Sequence, residues 1–155
     1  MQPILFATDG SPSAQKALAE AIRLAKDAGS ALEVLTVWQI PIVTAYGYTP
    51  SVGPEVIEDE QRRARVVAEA AVKTAEEAGV AATSEIREGD ASQEICAAAR
   101  EHDARLVVIG AHGWGAFKRW IMGSVSTRVV HEAPCPVLVV RMHEEEHDVD
   151  VAVAS

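Results

Sequence analysis

Positive charge, cysteine and aromatic rings are all scarce in this 155-residue chain. Lysine and arginine together number 14 against 23 aspartates and glutamates, a formal charge of −9. The acidic residues crowd the end, where Glu144, Glu145, Glu146, Asp148 and Asp150 follow His143. A body of this sign repels phosphate backbones and anionic lipid surfaces, so neither nucleic acid nor membrane is expected as a partner. Cys96 and Cys135 cannot make a disulfide framework, and without a CxxC pair a thiolate zinc site is excluded. No apolar run approaches the roughly eighteen residues that a membrane-spanning helix needs. The opening MQPILFATDG has no basic stretch leading into an apolar one. No signal peptide is read there, and the expected compartment is cytoplasmic.

What the chain does have is ordinary globular material, 48% hydrophobic and 24% charged, with much of the apolar content in Ala and Val. A chain of this length buries about 70% of the surface its unfolded form exposes, enough for one real core. One domain is expected over 1–142, and 143–155 is read as an acidic, mobile tail.

The pattern along the chain alternates strand and helix. Pro3 to Thr8 is a short buried strand bounded by Asp9-Gly10. Ser11 followed by Pro12 starts a helix as cap and first residue, Ala14, Leu18, Ala21, Ile22 and Ala25 recur at helical spacing, and Gly29 ends it. Leu32 to Trp38 is the second strand. Gln39 to Gly53 is a long loop carrying Tyr46 and Tyr48, which reads as an ordered flap. Pro54 to Ala78 is helical, with Val67, Ala70, Ala71, Thr74 and Ala78 read as one face and Gly79 as the stop. Ala82 to Glu88 is polar enough for an edge strand. Asp90 with Gln93 marks a capping box before a helix on Ile95, Ala98 and Ala99. Arg105 to Ile109 is a buried strand ending at Gly110. Ser124 is read as the cap of a helix carrying Val125 and Val129, closed by Pro134, and Pro136 to Arg141 is the last strand. Alternation of this kind predicts an α/β fold with a parallel sheet covered on both faces and a ligand site at the carboxyl ends of the strands.

Two strand exits stand out, Thr8-Asp9-Gly10 and Gly110-Ala111-His112-Gly113. Gly110, Gly113 and Gly123-Ser124 give the spacing G-x2-G-x9-G-S. Glycines let a backbone approach an anion, and a helix start offers free amides at the positive end of its dipole. Ser124 and Ser126 add hydroxyls, and Lys118 and Arg119 lie between the glycines. On spacing alone, a phosphate cradle and a plain Gly-rich connection stand equal. Asp9 suits a ribose hydroxyl, because a carboxylate can accept its proton; the other reading is a turn-forming Asp-Gly. His112 is open between phosphate contact and a satisfied loop histidine. Trp114, Phe117 and Trp120 are read as packing the loop onto the body.

Other motifs carry less. His143 to His147 matches H-E-x-x-H, but it sits in the acidic tail with no apolar helical face, so no catalytic zinc is expected. Gly110 to Gly115 has Walker A glycine spacing but continues Ala116-Phe117 rather than Lys-Ser/Thr. There is no G-x-G-x-x-G after the first strand and no G-x-S-x-G elbow. Cys96 in an Ala-rich helix is read as a small buried hydrophobe.

The segments ATDGS at 7–11, VIGAHGWG at 108–115, GSVS at 123–126 and APCPVLVVR at 133–141 occur in this order. Together they resemble the universal stress protein family, and the glycine spacing is that of its ATP-binding branch. The resemblance runs from Pro3 to about Arg141. It implies a single-domain, Rossmann-like three-layer sandwich with a five-stranded parallel sheet in order 3-2-1-4-5. It implies a regulatory, ATP-binding role in stress response, with Mg2+ accompanying the ATP. Ala7 and Asp9 would line the adenine and ribose end, and Val37 would touch the adenine. Ile109, Gly110 and Gly113 would pass beneath ribose and phosphates. Gly123, Ser124, Val125 and Ser126 would hold the phosphates by backbone and hydroxyl donors. Pro136 to Arg141 would pair two copies as a homodimer. No general base is aimed at a γ-phosphate and no carboxylate pair suits magnesium, so at most a slow ATPase is expected. A nucleotide-independent dimeric scaffold is the other reading.

Overall fold

The computed structural model describes residues 1–40, 52–112 and 122–142. The expectations placed on Tyr46 and Tyr48, on Gly113 to Trp120 and on the 143–155 tail lie outside these residues.

Among the described residues nine elements follow in strict alternation: β1 (Ile4–Ala7), α1 (Pro12–Ala28), β2 (Leu32–Trp38), α2 (Pro54–Glu77), β3 (Ala82–Glu88), α3 (Ala91–Glu101), β4 (Leu106–Gly110), α4 (Ser124–Glu132) and β5 (Val137–Val140). The strands make one parallel sheet in the order β3-β2-β1-β4-β5. The expected strand order is therefore the observed one, and it reverses between β1 and β4. β5 is shorter than the expected Pro136 to Arg141, because Pro136 has no N–H to give to the ladder; its carbonyl still accepts from Val107 at 3.0 Å.

Local chemistry explains the helix boundaries. Ser11 caps α1 with its hydroxyl on the Ala14 amide, Pro12 follows at the first position, and Gly29 ends the helix at φ 62°. The Asp90 carboxylate caps α3 by accepting from the Gln93 amide at 3.0 Å. α4 differs from the expectation that Ser124 is its cap. The cap is Gly123 in an extended conformation, its carbonyl accepting from the Thr127 amide and hydroxyl, and Ser124 is the first helical residue.

Strand alternation sends side chains to two cores. Ile4, Phe6, Leu32, Val34 and Val108 meet α1 and α2 on one face. Leu5, Ala7, Leu35, Val107 and Ile109 meet α3 and α4 on the other. The helices present small residues to the sheet. On α2 the buried stripe is Ala64, Ala68, Ala71 and Ala75. This corrects the expected face, since Ala70 and Thr74 are exposed. Alanines and valines lie on adjacent stripes of α2 and give little contrast between them, so the sheet and not the local pattern selects the one that faces inward. Cys96 is 2% exposed in the α3 core, and burial pushes its thiol pKa up. Among the described residues no helix is long and apolar enough to cross a membrane.

Phe6 has no exposed surface and sits in the central strand. Phe6→Ala is expected to cost about 3–5 kcal/mol in urea unfolding. Val66→Ala, at a position 60% exposed on α2, is expected to stay within about 0.5 kcal/mol.

Candidate functional site

The reversal of strand order separates the chain leaving β1 from the chain leaving β4, and a cleft opens between them at the carboxyl ends. Ala7 of β1, Leu35 and Val37 of β2, and Ile109 of β4 form an apolar floor, with Ala91 and Ile95 of α3 beside it. Thr8, Asp9, Gly110 and His112 edge the cleft, and Val125 and Ser126 of α4 close its far end. One end of the cleft is therefore a narrow apolar slot, and the other is the start of a helix.

The rim is held by a small set of contacts from α1. Asp9 accepts from the Ser11 amide at 2.9 Å, which bends the chain back into the helix. Gly10 takes φ +76°, and a methyl group added there would stand 3.1 Å from Val67, so a side chain would strain this turn. The Ser11 hydroxyl, with no solvent exposure, also donates to the His112 carbonyl at 3.4 Å. The Ser13 hydroxyl donates to the Val140 carbonyl at 3.5 Å and accepts from the His112 amide at 3.4 Å. A methyl group on Gly110 would stand 2.5 Å from that hydroxyl and 2.9 Å from the Ala14 nitrogen. Gly110 is thus required by packing of β4 against α1, whatever occupies the cleft.

At the opposite wall, α4 begins without a side-chain cap. The amides of Ser124, Val125 and Ser126 form its first turn, where intrahelical acceptors are absent. Gly123 donates to the Ala111 carbonyl at 2.8 Å, which fixes where the helix starts. The Ser126 hydroxyl turns inward, 2.9 Å from the Gly110 carbonyl and 3.1 Å from the Ala111 carbonyl. Its proton is used within the protein, so what Ser126 offers the cleft is its backbone amide. An uncapped helix start with a positive dipole end suits an anion.

Asp90 immediately precedes Ala91 of the cleft lining. The Ser92 hydroxyl and the Gln93 amide hold its carboxyl below the usual range. Arg128 of α4 approaches it at 3.6 Å, so the caps of α3 and the side of α4 are linked. Among the described residues no three His, Cys, Asp or Glu side chains are grouped to hold a metal ion.

Of the residues singled out from sequence, Ala7, Asp9, Val37, Ile109, Gly110, Val125 and Ser126 converge on this cleft. Gly123 and Ser124 lie at the start of α4, next to it in sequence and not among its lining residues. Gly113 is outside the described residues. Thr8, Ala14, Leu35, Ala91 and Ile95 also line the cleft and were not singled out as site residues. Leu35 and Ile95 carry only a core signal locally. Their one clue is position, Leu35 midway along β2 and Ile95 in the opening turns of α3.

The sequence profile of the universal stress protein family matches residues 1–141. A curated relative, Universal stress protein YxiE of Bacillus subtilis, is 35% identical over 144 residues, covering 89% of this chain and 97% of its own. Universal stress protein UspA from Lactobacillus plantarum superposes with a TM-score of 0.76 at 30% identity, over 90% of this chain and 97% of that one. A universal stress protein solved in complex with cAMP shares the fold, with a TM-score of 0.68 at 24% identity over 90% and 96% of the two chains.

Two substitutions separate scaffold from surface at this site. Gly110→Ala must displace the start of α1 and is expected to cost about 1–3 kcal/mol in urea unfolding. Ser126→Ala leaves the Gly110 and Ala111 carbonyls short of a donor and is expected to cost about 1–2 kcal/mol. An unchanged unfolding midpoint in either would show that the cleft walls are not braced by these contacts.

Proposed function

Because the chain belongs to the universal stress protein family, we propose that it is a regulator whose state is set by an adenine nucleotide bound in the cleft between β1 and β4. The observation that carries this reading is the uncapped start of α4 facing an apolar slot across one cleft. A base needs a flat apolar surface, and Ala7, Leu35, Val37 and Ile109 supply it. A ribose needs an acceptor for its hydroxyls, and Asp9 stands at the rim. Phosphates need donors, and the amides of Ser124, Val125 and Ser126 supply them without a charged side chain. Gly110 lets the ligand pass close to the backbone of β4, and Gly113 and Gly123 extend the same glycine spacing. Proteins of this fold are seen with cAMP, dAMP and AMP, which is consistent with an adenine ligand.

ATP is the preferred nucleotide in this reading, because the glycine spacing is that of the ATP-binding branch. Mg2+ would enter with the phosphates, since the described side chains form no metal cluster of their own. The role is regulatory, in the response to stress, and the compartment is the cytoplasm. Two copies pair through the outer edge of β5, extended to Pro136 and Arg141. That edge is the open side of a sheet end, and all four β5 residues are half-buried. Catalytic turnover of ATP is absent or slow; a rate above about 1 s−1 would overturn a purely regulatory role.

Calorimetric titration with Mg-ATP, AMP and cyclic AMP tests the reading. Binding in the micromolar range, about −8 kcal/mol, is expected for ATP. Ser124→Asp is the discriminating variant. A carboxylate in the first turn favours the helix dipole, so the fold stays intact or gains slightly, while phosphate is repelled. ATP affinity is expected to fall at least about tenfold with no loss in Tm. No binding of any of the three nucleotides would favour the nucleotide-independent scaffold. Sedimentation equilibrium is expected to give a dimer, and a monomer at high protein concentration would remove the β5 pairing.

A further inference from the structure

His112 stands where the chain leaves β4, and it lines the cleft. Its backbone is pinned from α1. The amide donates to the Ser13 hydroxyl at 3.4 Å, and the carbonyl accepts from the Ser11 hydroxyl at 3.4 Å. The start of α4 lies against it as well, since a methyl group on Gly123 would stand 3.8 Å from the His112 α-carbon. The imidazole therefore grows from a fixed point beside the opening turn of α4, and only its own side-chain torsions are left to place it.

The polar side chains of the described lining are Thr8, Asp9, His112 and Ser126. Three of them are engaged within the protein. The Thr8 hydroxyl accepts from the Gly10 amide at 3.1 Å, and the Asp9 carboxylate accepts from the Ser11 amide at 2.9 Å. The Ser126 hydroxyl is directed to the Gly110 and Ala111 carbonyls. Among the described residues, neither ring nitrogen of His112 has a hydrogen-bond or ion-pair partner. The ring is thus not held by its own surroundings, and it is the one nitrogen-bearing side chain of the described lining.

An imidazole carries at least one N–H in either protonation state. The slot of Ala7, Leu35, Val37 and Ile109 is apolar and offers that donor no acceptor through its side chains. The amides of Ser124, Val125 and Ser126 are donors too, so ring and helix start ask for the same kind of partner. An oxygen of a bound anion satisfies both. The amides would hold it from the α4 side, and the ring from the exit of β4. Until then water serves the ring, which is half-buried.

We propose that His112 is the side chain that separates nucleotides from nucleosides in this cleft, its ring N–H donating to a phosphate oxygen seated at the start of α4. This rests on the adenine-nucleotide reading above and adds a specificity-determining residue to it. Nothing in it depends on the charge of the ring, because the neutral form already carries the donor. The rigid backbone is what makes the donor selective: a phosphate oxygen must come to the ring, because the ring's anchor is held by Ser11 and Ser13.

Calorimetric titration of the wild type, His112→Phe and His112→Gln with Mg-ATP and with adenosine tests it. Phe keeps a ring and removes both nitrogens, whereas Gln restores an N–H. The contacts that pin the backbone are left in place by either change. His112→Phe is expected to weaken ATP binding roughly tenfold, the worth of a hydrogen bond to a charged acceptor, and to leave adenosine within about twofold. His112→Gln is expected to recover part of the loss. Unchanged ATP affinity in His112→Phe would overturn the proposal. Equal losses for ATP and adenosine would place the ring at the base or ribose and overturn it as well. A wild type that binds neither ligand would remove the nucleotide reading itself, and the proposal with it. Nitrogen NMR of the wild type gives a second reading that does not depend on a variant's stability. The His112 ring resonances are expected to shift on saturation with ATP and to stay in place with adenosine, and a ring that ignores ATP would overturn the proposal.

Discussion

The first turn of α1 lies against the end of β4 at a separation no side chain could occupy. Gly110 makes this approach possible, and Ser11 and Ser13 turn it into a joint by bonding to the His112 and Val140 backbones. Three chain exits meet there: the turn after β1, the turn after β4 and the end of β5. Everything proposed for the cleft depends on this joint. It fixes Asp9 on one rim and the backbone of Gly110 and Ala111 beneath. Through the Gly123 amide and the Ser126 hydroxyl it also sets the start of α4 on the other rim. The serine hydroxyls here act as internal braces rather than as ligand contacts. Hydroxyls buried without partners would each cost about 1–3 kcal/mol, so their engagement with carbonyls is also what makes the joint stable.

The two sheet faces divide the work. On the α1 and α2 side, alanine stripes bring long helices close to the sheet and bury the largest side chains, Phe6 among them. On the other side α3 and α4 are short, 11 and 9 residues, and leave parts of the sheet less covered. The cleft opens at one end of that face, and a second pocket, bordered by Glu33, Glu85 and His102, at its β2–β3 margin. Polar chemistry collects where helix cover is thin, because charged side chains there keep some contact with water while still reaching one another.

Much of this was legible in the sequence, and the legible part is the part with local causes. Ser11-Pro12, Gly29, and Asp90 with Gln93 act over three or four residues and mark helix ends directly. Strand runs such as Leu32 to Trp38 have the bounds that the structure shows. The position of the cleft followed from alternation and from two unusual strand exits. What failed was decided by tertiary contact. The inward stripe of α2 depends on the sheet beneath it. Ser124 resembles a cap by residue type, yet the extended residue whose carbonyl begins the ladder is Gly123. The inward turn of the Ser126 hydroxyl depends on carbonyls 15 and 16 residues away. The roles of Leu35 and Ile95 at the cleft, and the meeting of Glu33, Glu85 and His102, need the strand register, which no single segment encodes.

The sign of the protein gives the cleft its design problem. A chain of net charge −9 opposes anions at long range, although salt confines that field to about 8–10 Å. Within the cleft the described walls bring Asp9 and, nearby, Asp90, whose charge is partly met by Arg128. Among the described residues, what the proposed reading offers a phosphate is dipoles at contact distance. In that reading the start of α4 supplies them, its position fixed by the Gly123 amide on the Ala111 carbonyl. Donors of this kind read the position of phosphate oxygens more than total charge. An acidic surface around them discourages binding of polyanions that cannot seat a base in the apolar slot. Under the proposed function, selectivity for a nucleotide over a nucleic-acid backbone would follow from this pairing of dipoles with an apolar slot.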